Sequence, residues 1–211
     1  MVSPCVHFPS AAHLRIRKSI MALTLQNIVV NARGGKASIL LRDGERFAHT
    51  FDLPVQAPFQ PGNHDKDDTA LRQNIVFRCN DEVDKFFGEL DTWAVAYITE
   101  HSERLLGKEL PAGQIETNYI SSIKQSEGRP PLVKFKLNMP GSNKQTRCWD
   151  AEGNEIDFIR DWAGRDFKLR VLVSHMWLMG SSEKSEFGFV VLITDVLEKK
   201  SVFTSPFTKP G

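Results

Sequence analysis

Beyond Gly113 the chain repeatedly passes from a short run of β-favouring residues to a turn signal and back, and this rhythm limits the possible folds more than any other feature. The runs lie near Ile115 to Lys124, Leu132 to Asn138, Gln145 to Asp150, Phe167 to Trp177 and Phe187 to Glu198. Between them stand Pro130-Pro131, Pro140-Gly141, Glu152-Gly153 and Gly180-Ser181-Ser182. Short strands punctuated in this way predict a sandwich or barrel rather than a parallel α/β sheet. The expectation for this half is a small closed or nearly closed β-barrel that binds a ligand rather than one that catalyses.

The first half reads differently. Asn27-Ile28-Val29-Val30, the Gly34-Gly35 turn and Ala37 to Leu41 predict a hairpin, followed by strands at Phe47 to Leu53 and Asn74 to Cys79. A helix then opens at Asn80 or Asp81, with Glu82 and Asp84 complementing its dipole. Val83, Phe86, Phe87, Leu90, Trp93, Ala94, Tyr97 and Ile98 recur every three or four residues, so one face packs on a core and the helix stops before Gly107. The fold class is therefore mostly β with one main helix (α+β). Its expected divisions are an extension over 1–22, N-terminal strands and helix over 23–112, the barrel over 113–199 and a flexible tail over 200–211.

Composition removes several classes. A chain of 211 residues with 41% hydrophobic and 25% charged residues is expected to be soluble and folded. No apolar run reaches the ~18 residues needed to cross a bilayer, so no membrane partner is expected. Cys5, Cys79 and Cys148 form no CxxC pair, which gives no zinc site and no disulfide framework and fits a reducing, intracellular setting, the nucleus ahead of an organelle. The first acid is Asp43, and an acid-free, Arg- and Ser-containing start is shared with presequences. Pro4 and Pro9 interrupt it, so a terminal extension is the preferred reading.

Enzyme chemistry finds little footing. There is no GxSxG elbow, and Gly34-Gly35 sits between strands rather than in a phosphate loop. His64, Asp65, Asp67 and Asp68 are the most metal-like group, but Lys66 interrupts them and they read as a solvated acidic loop. His175, inside Ser174-His175-Met176-Trp177, reads as a core or rim histidine. No catalytic residue, metal or cofactor is expected.

Local charge points elsewhere. Lys and Arg total 27 against 26 Asp and Glu, a net +1, so a basic surface has to be local. Between Lys124 and Arg147 lie Lys124, Arg129, Lys134, Lys136, Lys144 and Arg147 against Glu127 alone. In Val133-Lys134-Phe135-Lys136-Leu137, alternation places the lysines on the face opposite the apolar residues. Such a row tracks phosphates, and rings such as Tyr119, Trp149 and Trp177 offer faces on which unstacked bases lie, each worth ~1–3 kcal/mol. Against this stands the ordinary use of aromatics as core and of strand lysines as guards against edge pairing.

The order Tyr119-Ile120-Ser121, Pro130 to Leu137, Asp150 with Gly153, then Trp177, Phe187-Gly188-Phe189 and Leu192 resembles a domain of large DNA viruses and related genomes. Members of that family are regarded as OB-fold proteins of the single-stranded DNA-binding type. The resemblance covers the C-terminal half and implies an OB-like barrel with DNA on its strand face. Glu183 and Glu186 depart from the pattern, since acids there repel phosphates. The expected function is a non-enzymatic single-stranded DNA-binding protein of replication or repair, with replication proteins and a second copy as further partners. The alternative is a protein-interaction or structural β-barrel module.

Overall fold

The computed structural model describes residues 25–33, 36–41, 43–63, 69–180 and 185–199. Its spine is a long antiparallel pair near the C-terminal end, β11 (Asp166–Gly180) with β12 (Ser185–Glu198). The register shifts between Arg170 and Val171 and again between Val173 and His175. Bulges of this kind bend a strand and deepen its twist. One edge of β11 accordingly serves three partners in succession: β2 (Lys36–Leu41), β3 (Ala48–Thr50) and β4 (Val55–Gln56).

The free edge of β12 is used in the same way. It takes β6 (Tyr119–Ile120), β8 (Arg129–Asn138) and β9 (Arg147–Trp149), each parallel to it. β8 pairs in turn with β5 (Arg72–Arg78) and with β7 (Ile123–Ser126), while β1 (Ile28–Arg33) pairs with β2 and β10 (Glu155–Ile156) with β9. Strands from 23–112 and from 113–199 thus share one sheet, whose main path runs β1-β2-β11-β12-β8-β5.

Helix α1 (Asp81–Leu106) closes one face of this sheet. Asn80 starts it by accepting the Val83 N–H at 2.9 Å, and Gly107 ends it with φ 71°, a conformation that favours a residue without Cβ. The buried stripe Val83, Phe86, Phe87, Leu90, Ala94 and Ile98 follows helical spacing. Phe87 meets Phe135 of β8 at 5.7 Å and Trp93 stacks with Phe189 of β12 at 6.5 Å, so α1 lies over those strands. Trp162, between β10 and β11, is fully buried and its ring lies 4.8 Å from Phe167.

Three expectations change. A closed barrel is not seen: among the described residues the path has two ends, β1 and β5. The single strand expected over Ile115 to Lys124 is instead helix α2 (Ala112–Asn118) followed by β6 and β7, so a second helix follows α1. Pro111 stands at the α2 N-cap, and Ile115 alone of its residues is buried, too little apolar surface for strand alternation to persist. The β1–β2 hairpin, β5, β8, β11 and β12 fall where expected, with β11 and β12 longer at their shared turn. The terminal stretches, Gly34-Gly35, the His64 to Asp68 group and Glu183 lie outside the described residues.

Candidate nucleic-acid interface

The face of the sheet turned away from α1 collects positive charge. On β8, Val133, Phe135 and Leu137 are buried under the helix, and the alternate residues Lys134 and Lys136 lie on the other side. The antiparallel register sets Arg72 against Asn138, Asn74 against Lys136 and Val76 against Lys134. Residues opposite one another share a face, so β5 adds Arg72 to the β8 lysines.

A groove of about 490 Å³ opens on this face. Leu40, Leu172 and Leu192 give it apolar surface, Ser38, Asn138, Ser174 and Thr194 give it hydrogen-bonding groups, and Arg46, Arg72, Lys144 and Arg147 line it. None of its lining residues is acidic. Asn138 fixes two of the cations: its Oδ1 accepts from Arg72 Nε at 3.1 Å, and its Nδ2 donates to the Lys144 carbonyl at 2.7 Å. The segment carrying Lys144 is anchored again through Thr146, which donates to the Ile193 carbonyl at 2.8 Å and accepts the Asn138 N–H at 3.3 Å.

Two titrating groups register the resulting field. Burial lowers the Lys136 pKa, and Lys134 and Arg72 lower it further. Burial also lowers that of His175 on β11, helped by Lys36 and Arg72. Arg72 acts on both, so the positive potential spans the face from β2 to β8. An anion placed there would relieve both groups.

One acid tempers the field. Asp195, 9% exposed, lies 2.6 Å from Arg147 and 3.6 Å from Arg170, and its Oδ1 also accepts from Trp149 Nε1 at 3.1 Å. Arg147 in turn lies over the Trp149 ring, 5.2 Å from its centroid. The Trp149 indole is therefore held on its N–H edge and covered on one face. Arg147 remains 49% exposed and is one of the residues lining the groove.

The expected residues divide accordingly. Lys144 and Arg147 line the groove, and Lys134 and Lys136 lie beside it on β8, outside its lining. Lys124 and Arg129 sit farther along, on the β7–β8 hairpin. Tyr119 is tied to the helix side: its hydroxyl donates to Asp91 at 2.6 Å, as does that of Ser121, and burial together with Asp91 pushes the phenol well above its usual range. Trp177 is half-buried opposite Gly188, in contact with that glycine's backbone. Lys36, Arg46, Arg72 and Arg170 were not anticipated. For Arg72 a signal existed in Arg72-Gln73-Asn74-Ile75-Val76-Phe77, where Ile75 and Phe77 mark one face and leave Arg72 on the other.

No protein-family model and no curated protein matches the chain. Among solved structures it is similar to the single-stranded DNA-binding protein from bacteriophage Enc34 in complex with ssDNA, at 11% identity and TM-score 0.45, over 83% of this chain and 97% of that one. It is also similar to gp2.5, a single-stranded DNA-binding protein encoded by bacteriophage T7, at 10% identity and TM-score 0.44, over 77% of this chain and 98% of that one.

Proposed function

We propose that this chain is a non-enzymatic single-stranded DNA-binding protein of replication or repair, with the strand lying across the sheet face opposite α1. The observation that carries this reading is the acid-free groove, in which Arg46, Arg72, Lys144 and Arg147 line a leucine-bearing wall beside the Lys134 and Lys136 row. Cations on such a face neutralise successive phosphates and release their counterions, which requires no particular base. Leu40 and the Trp177 indole, both partly exposed, offer apolar surface to unstacked bases, and every base has a π-face, so the binding is sequence-tolerant. Lys124 and Arg129 extend the cationic track along the β7–β8 hairpin, and Arg147 over Trp149 supplies a planar group at the groove wall. The resemblance to the family of large DNA viruses belongs to the same reading.

A fluorescent oligo(dT) titrated at two salt concentrations tests it. Affinity should fall as salt rises, and Lys134→Glu with Lys136→Glu should weaken binding strongly while the fold persists. No binding at low salt, or binding indifferent to salt, sinks the reading. Tighter binding of oligo(rU) than of oligo(dT) would move the ligand from DNA to RNA. The interaction-module alternative rests on β1, whose outer edge pairs with no strand among the described residues and where Val29 is 37% exposed. Such an edge accepts an added strand.

A further inference from the structure

The net charge of +1 conceals two oppositely charged sides. Helix α1 carries seven acidic side chains against two basic ones, and it lies across the sheet from the basic groove. Between α1 and α2 runs a second groove, of about 720 Å³, lined by Thr92, Val95, Ala96 and Ala112 together with Glu100 and Glu116. Both glutamates are exposed and neither forms an ion pair among the described residues. Asp91, also in the lining, is already engaged by Tyr119 and Ser121.

We propose that this acid-lined groove receives the basic sheet face of a second copy of the chain, so that copies associate head to tail and a bound DNA strand displaces the association. Charge complementarity selects this occupant. Lys and Arg lay their aliphatic stems along apolar surface and keep their charged ends at its margin. The small side chains of Val95, Ala96 and Ala112 accommodate such stems, with Glu100 and Glu116 placed to meet the charged ends. The two surfaces lie on opposite sides of one sheet, so the contact is heterologous and does not close on itself. Exposed ion pairs are weak and screened, which makes the association a low-salt property. The inference rests on the basic face assigned above, since DNA and the second copy compete for it.

Sedimentation velocity of the full chain tests this at about 0.01 M and about 0.15 M salt, where the Debye length falls from about 30 Å to about 8 Å. At the lower salt the sedimentation coefficient should rise with protein concentration. It should return to the monomer value at the higher salt, on saturation with oligo(dT), and in the variant Glu100→Lys with Glu116→Lys, which should still bind oligo(dT). The pair Glu100→Gln with Glu116→Gln should lie between. A monomer at all concentrations in low salt overturns the proposal, as does association that survives charge reversal. Association that persists while oligo(dT) is fully bound also overturns it and leaves the DNA reading intact. Charge-dependent association in a protein that binds no oligonucleotide overturns the DNA reading, and displacement by DNA with it, and leaves the head-to-tail contact standing.

Discussion

Among the described glycines, Gly188 has the tightest surroundings. A Cβ added there would stand 2.8 Å from Cζ2 of Trp177 and 2.8 Å from the Ile120 carbonyl oxygen, so the absent side chain is what lets the indole and β6 approach β12 together. Gly188→Ala should displace the Trp177 ring and strain the β6 pairing, costing ~1–3 kcal/mol of stability by overpacking. If that ring stacks a base, oligonucleotide affinity falls with it while the salt slope stays the same, because no phosphate contact is removed. Denaturant unfolding and a salt series on the one variant separate the two effects. Unchanged stability would show that the contact has room to relax.

His175 makes a pH prediction of opposite sign for fold and for ligand. Its folded pKa lies below the usual value because of burial and then of Lys36 and Arg72, while Ser174 Oγ sits 3.1 Å from Nδ1. The unfolded state therefore binds the proton more readily, and His175's contribution to stability is lost as pH falls through about 6.5. A phosphate on the same face favours the charged ring, so binding takes up a proton and affinity rises from about pH 7.5 to about pH 5.5. Titrations at both pH values, with His175→Gln as the control that flattens the step, check this. His49 is also lowered by burial, but it stacks on Phe86 on the helix side and belongs to the stability curve alone.

At the scale of elements, what was legible was whatever a local pattern determines. The Asn80 cap, the α1 stripe and the alternation of Val133, Phe135 and Leu137 with Lys134 and Lys136 are short-range regularities, and each is found in place. Helix α2 was missed because it is short and is positioned by long-range contacts: Asp91 of α1 holds Tyr119 and Ser121 just beyond its end. The groove was only half legible for a related reason. Lys144 and Arg147 belong to a basic run visible in sequence, whereas Arg72 joins them through a bond to Asn138, 66 residues away. Trp149 illustrates the same limit, since the carboxylate that occupies its N–H is Asp195, 46 residues on. Strand pairing decides which charges become neighbours, and a single sequence does not display pairing.

For the whole molecule, the decisive fact is that the β11–β12 pair is flanked on one edge by β2, β3 and β4 and on the other by β6, β8 and β9. Neither 23–112 nor 113–199 can leave without exposing the apolar side of the other, because Phe47, Phe51 and Phe77 from the first and Phe135, Phe167 and Phe187 from the second belong to one buried cluster. Shared burial of this kind makes unfolding cooperative. The chain should therefore lose far-UV circular dichroism and tryptophan fluorescence in a single coincident denaturant transition. The tryptophans suit that comparison, since Trp93 reports on α1, Trp149 on β9, Trp162 on the core before β11 and Trp177 on β11 itself. Two separated transitions, with the Trp93 signal moving apart from the other three in single-tryptophan variants, would mean that the helix-bearing first half and the strands of the second are distinct units that only rest on one another.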